Sequence, residues 1–123
     1  MITVVFYVRH DGLIKKMSVR GHSDYALSGT DIVCASASTL VHTAIQSLEE
    51  LCGLKGFYTL KEEQKGSSGP EVSVTIPPAE LDKGPDSPAQ WIMASARIGF
   101  LLLKDTDRSD YGGNHIKVEQ RPG

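Results

Sequence analysis

A thiol and an imidazole lie twelve positions apart, at Cys34 and His22, in the stretch Gly21-His22-Ser23-Asp24-Tyr25-Ala26-Leu27-Ser28-Gly29-Thr30-Asp31-Ile32-Val33-Cys34-Ala35-Ser36-Ala37-Ser38. Together these groups suit nucleophilic acyl transfer. The imidazole takes the thiol proton, and the thiolate attacks a carbonyl carbon. Cys34 falls at a predicted helix start, where unpaired backbone N–H groups and the positive end of the helix dipole favour the thiolate. The same N–H groups are suited to an oxyanion. Asp31 reads most simply as the N-cap, accepting from the N–H of Val33 or Cys34. Ser38, one turn after Cys34, shares its helix face. Gly21 and Gly29 bracket the segment and permit unusual backbone angles.

Spacing alone neither brings the pair together nor keeps it apart, since ten intervening residues reach roughly 33 Å when extended. A lone helical Cys is often a small hydrophobe. Cys52, His10, His42 and His115 take such structural readings. A Cys–His zinc site falls short, because two ligands without a partner pair do not make the four of a structural zinc. The sequence calls for no cofactor and no metal.

The elements that must position these groups follow from periodicity. Residues 2–9 alternate, with Ile2, Val4, Phe6 and Val8 on one face, as a strand does. Asp11-Gly12 is a hairpin signal. A second strand follows over about 13–21, with Met17 and Val19 inward, and residues 22–32 read as a loop. Its few apolar anchors, Ala26, Leu27 and Ile32, predict a mobile segment that orders on a ligand. From about Val33, Ala37, Leu40, Val41, Ala44, Ile45, Leu48 and Leu51 recur at helical spacing, and Gly53 sits where a helix-ending glycine belongs. Phe57 to about Glu63 reads as a third strand, residues 66–70 as a turn, and Val72, Val74 and Ile76 as a fourth strand ending at Pro77-Pro78. Ser87-Pro88-Ala89-Gln90 starts a helix, with Ser87 as cap, Pro88 at the first helical position and Gln90 completing a capping box. Trp91, Ala94, Ile98, Leu101 and Leu102 supply its predicted buried stripe. Ile116 and Val118 end the chain in a last strand. The order β-β-α-β-β-α-β, with two apolar-striped helices and one sheet, predicts an α+β two-layer sandwich over a single domain, residues 1–123. Strand order does not follow from the sequence.

The 123 residues carry a formal charge of -2, with 40% hydrophobic and 23% charged residues. That balance is ordinary for a globular protein. It offers no clustered Lys and Arg for a phosphate backbone and no aromatic-basic stripe, so a nucleic-acid partner is disfavoured. The two cysteines lie about 27 Å apart along one predicted helix, too far to bridge. Two unpaired thiols fit a reducing compartment. The first residues show neither a basic start nor a cleavage site of small residues, and their apolar run is too short to span a bilayer. The expected location is the cytoplasm, with no membrane partner.

The motif Gly21-His22, six residues, Gly29-x-Asp31-Ile32-Val33-Cys34-Ala35-x-x-Ser38 resembles the ribosomal-processing cysteine protease family of bacteria. The resemblance covers the whole chain in length, hairpin start and element order. It implies a thiol endopeptidase with His22 and Cys34 as the catalytic pair. It also implies supporting or substrate-binding roles for Asp31, Ser38, Gly21, Gly29 and Ala35. The implied substrate is a ribosomal protein precursor, the large-subunit protein number twenty-seven, whose short N-terminal extension is removed in support of ribosome assembly. The implied assembly is a homodimer. The rival reading is a non-enzymatic, ribosome-associated adaptor that holds the same peptide without cutting it.

Overall fold

The computed structural model describes residues 1–27, 30–62 and 69–123. β1 (Ile2–Val8) and β2 (Ile14–Arg20) form an antiparallel hairpin, followed by the long helix α1 (Ile32–Cys52). β3 (Tyr58–Lys61) and β4 (Glu71–Thr75) are followed by a one-turn helix α2 (Pro78–Leu81), the long helix α3 (Pro88–Asp110) and β5 (Ile116–Pro122). The five strands form one sheet in the order β3-β4-β2-β1-β5. β5 returns parallel to β1, pairing Ile2 with Ile116 and Val8 with Pro122. The α+β layering is as the pattern predicts. Ile2, Val4, Phe6, Met17, Val19, Val74 and Ile116 of the sheet share one buried core with Val33, Val41, Leu48, Met93 and Phe100 of the helices.

Local signals set the element ends. Gly12 takes φ 89 at the hairpin turn, where Arg9 N–H donates to the Leu13 carbonyl at 2.9 Å. Gly53 ends α1 at φ 67, its N–H returned to the carbonyls of Glu49 and Leu48. Ser87 Oγ accepts from Gln90 N–H at 3.2 Å, with Pro88 in the first turn. Gln90 does not close a capping box. Its amide reaches across to β2, accepting from Ile14 N–H and donating to the Ile14 carbonyl, both at 2.8 Å.

The apolar stripes differ from the predicted ones. Trp91, Ile98, Leu101 and Leu102 are exposed, Trp91 by 66%, and Ala94 is only partly buried. The buried face of α3 is Ala89, Met93, Ala96, Phe100, Leu103 and Asp107, an alternation of four and three that alanines disguise. Gly99 explains the choice of face, because a Cβ there would lie 2.6 Å from Leu40 Cδ2, so α3 approaches α1 through its small residues. In α1, Leu51 is 71% exposed. The buried line passes from Leu48 to Cys52, which packs on the core. β3 starts one residue later than predicted, at Tyr58, and is assigned only to Lys61. Glu63 and residues 66–68 of the predicted turn lie outside the described residues. The helix α2 was not foreseen. Pro78 at its first position both ends the strand and suits a helical turn.

Candidate active site

β2 ends at Arg20, and the chain turns at Gly21, whose φ of 95 suits glycine. Gly21 N–H donates to the Pro70 carbonyl at 2.9 Å. A Cβ on Gly69 would sit 2.9 Å from Gly21 Cα and 3.4 Å from His22 Cδ2. This close approach of two backbones sets His22 beside the segment entering β4. On the other side, α1 begins at Ile32, placing Cys34 in its first turn.

Between them lies a cleft of about 260 Å³. Its apolar walls include Ile2, Val19, Val41, Pro70 and Val72, and its polar groups are His22, Cys34, Ser38 and His42. Gly21 lines it as well. Ser38 follows Cys34 by one helical turn and His42 by two, so the three side chains form a row along one face of α1. The Cys34 thiol is half-buried and His22 is exposed. Cys34 and Cys52 are both free thiols.

Asp31 does not line this cleft; it builds the turn beneath it. The side chain is 7% exposed. Oδ1 accepts from Cys34 N–H at 3.0 Å, and Oδ2 accepts from the Ser23 hydroxyl, from Tyr25 N–H at 3.1 Å and from Ala26 N–H at 3.2 Å. Burial alone would raise the carboxyl. The Ser23 hydroxyl and the N–H groups of Cys34, Ala26 and Tyr25 outweigh it and hold the pKa down to about 2. Asp24 turns to the N-terminal ammonium of Met1 at 3.3 Å.

The N–H groups at the start of α1, expected to suit an oxyanion, are engaged within the helix cap. The N–H of Cys34 is committed to the Asp31 cap and that of Ala35 to the Asp31 carbonyl at 3.0 Å, so neither is open to an oxyanion in this arrangement. Ala35 is exposed and does not line the cleft. Gly29 lies outside the described residues.

Two residues of the site, one beneath the thiol and one lining the cleft, carry no strong mark in the sequence. Ser23 is 1% exposed. Its N–H donates to Cys34 Sγ at 3.3 Å, and the thiol lies 3.4 Å from its Oγ. His42 reads as structural in the sequence, yet it faces the cleft, and helical spacing from Cys34 and Ser38 is the signal that marks it. Among the described residues, no three His, Cys, Asp or Glu side chains gather as a metal would require.

A half-buried thiol in the first turn of a helix and a histidine line the same cleft, the two kinds of group that cysteine hydrolysis requires. The family model of cysteine protease Prp matches residues 1–111, and the chain belongs to that family. Among solved structures it is similar to the essential ribosomal processing protease Prp from S. aureus with a covalently linked product peptide. The identity is 23% over 98% of this chain and 100% of that one, with a TM-score of 0.70. The same S. aureus protease with a substrate peptide matches at 20% identity and a TM-score of 0.63, over 98% of this chain and 100% of that one. The Streptococcus mutans protein SMU.848 matches at 20% identity over 100% of this chain and 96% of that one, with a TM-score of 0.70. No curated protein matches the sequence.

Proposed function

We propose that the chain is a single-domain endopeptidase, residues 1–123, with Cys34 as nucleophile and His22 as general base. The observation that carries this reading is that both side chains line one apolar-walled cleft. His22 takes the proton from Cys34 Sγ, and the sulfur attacks the scissile carbonyl carbon. As the tetrahedral intermediate collapses, His22 returns the proton to the leaving amine. Water then hydrolyses the thioester, regenerating the thiol and releasing a carboxylic acid. Ser23 N–H, 3.3 Å from Sγ, is a backbone donor that favours the thiolate. Asp31 holds the loop, and Ser38 lines the route of the peptide.

The S. aureus structures are described as a ribosomal processing protease with bound peptides. By that likeness, and by the motif around Cys34, the substrate is the N-terminal extension of large-subunit ribosomal protein number twenty-seven. The apolar walls suit a hydrophobic segment ahead of the cut. Two free thiols support a cytoplasmic location. The exposed face of α3 that carries Trp91, Ile98 and Leu102 supports pairing into a homodimer. Among the described residues, no helix is long and apolar enough to cross a membrane.

Incubation of the protein with that N-terminal peptide, followed by mass spectrometry, tests the reading. A single cut in the wild type, absent in Cys34→Ala, is expected. Tight binding of an uncut peptide would instead favour a non-enzymatic adaptor.

A further inference from the structure

The loop that carries Ser23 does not end its contacts at Asp31. It lays Tyr25 against two rings outside the cleft. The Tyr25 and Tyr111 ring centroids are 5.1 Å apart with planes at 62°, and those of Tyr25 and His115 are 5.2 Å apart at 86°. Both are edge-to-face arrangements of the kind aromatic pairs prefer. Tyr111 caps the C-terminus of α3, and His115 immediately precedes β5.

This shelf is fixed to the core. Asp107, 1% exposed and on the buried face of α3, accepts from His115 N–H at 3.0 Å and pairs with His115 Nδ1 at 2.5 Å. The Asp107 carbonyl accepts from the N–H groups of Tyr111 and Gly113, at 3.0 and 2.9 Å. Tyr111 packs against the hydrophobic core. Tyr25 is 40% exposed, and its own N–H donates to Asp31. Two residues before it, Ser23 touches Cys34 Sγ. One short segment therefore links the thiol to a rigid shelf built by the far end of α3.

We propose that Tyr25 is a positioning residue: docked on the Tyr111–His115 shelf, it holds Ser23 at Cys34 Sγ and His22 at the mouth of the cleft. This rests on the protease reading above. A loop with few apolar side chains gains little from burial to offset the entropy of ordering its backbone. Aromatic edge contacts to a fixed shelf supply that offset without closing the cleft. Such a latch affects the chemical step more than peptide binding, because Ile2, Val41 and Val72 wall the cleft while Tyr25, Tyr111 and His115 lie outside it.

The test uses the full chain as Tyr25→Ala and Tyr25→Phe, with two readouts. Hydrogen exchange at the amides of residues 23, 25 and 26 should quicken about tenfold in Tyr25→Ala and stay near the wild-type rate in Tyr25→Phe, which keeps the ring. Peptide cleavage should show kcat falling about tenfold in Tyr25→Ala with KM little changed, rescued in Tyr25→Phe. Tyr111→Leu should reproduce the kcat loss, and the double variant should lose no more than either single one. Unchanged exchange in Tyr25→Ala overturns the latch. Faster exchange with unchanged kcat overturns its positioning role. A wild type that cuts no peptide refutes the protease reading, and the docking then stands or falls on exchange alone.

Discussion

The two long helices begin with the same device and use it for opposite ends. At α1, Asp31 accepts from the N–H of the third helical residue, Cys34, at 3.0 Å; at α3, Ser87 accepts from that of the third helical residue, Gln90, at 3.2 Å. The backbone solution is the same, but the third side chain differs in what surrounds it. Gln90 is 6% exposed, with both amide atoms bonded to Ile14. Cys34 faces a cleft, and its sulfur makes longer contacts, to Ser23 N–H and Oγ. Identical capping thus produces a lock between helix and sheet in one place and a thiol facing a cleft in the other. The local code fixes where the third residue sits, and the neighbouring strand or loop decides what it does.

Exchanging the chemistry of these third residues separates the two roles. Cys34→Ala and Cys34→Ser should abolish peptide cleavage while circular dichroism and the melting temperature stay near wild type. His22→Ala, which removes the proposed base, should lower kcat by about 10²–10⁴-fold, the usual share of general-base catalysis; a change under about threefold would assign the base elsewhere. Gln90→Leu should do the reverse. It strands the N–H and carbonyl of Ile14, at about 2–4 kcal/mol of stability by denaturant titration, with kcat per folded molecule little changed.

The caps themselves give smaller effects. Asp31→Ala should cost about 2 kcal/mol, since three backbone N–H groups and a hydroxyl lose their acceptor; Ser87→Ala should cost about 1 kcal/mol. Only the first should depend on pH. The Asp31 carboxyl lies at about 2 in the folded chain, below the ordinary carboxylate range. Its contribution is therefore complete above about pH 5 and is lost as the pH falls through 2. The stability gap between wild type and Asp31→Asn, followed by thermal melts, should shrink over that window.

What was legible in the sequence is mostly local. Asp31 and Ser87 as caps, Gly53 as a terminator and Asp11-Gly12 as a turn each act within a few residues, and each holds in the structure. The buried face of α3 is not legible because its large residues, Trp91, Ile98 and Leu102, outweigh the alanines and the glycine that allow two helices to approach. Gln90 was read as a local cap because its true partner, Ile14, lies 76 positions away. Ser23 and His42 are not legible for the same reason: Ser23 gains its meaning against the Cys34 sulfur, and His42 where α1 meets the cleft. The expectation of a mobile loop rests on its few apolar anchors and the glycine in its middle, and hydrogen bonds and ring contacts are not legible in such a pattern. Ser23, Tyr25 and Asp31 make such contacts in its described part.

The most direct test of the central claim is to look for the covalent intermediate. The protein is mixed with the ribosomal N-terminal peptide and quenched in acid within the first turnover, then digested and mapped by mass spectrometry. A thioester carrying the N-terminal fragment on the segment that contains Cys34, absent from Cys52 and slow to form in His22→Ala, is the predicted result. Cleavage that proceeds in Cys34→Ala, with no adduct on any cysteine, would contradict it.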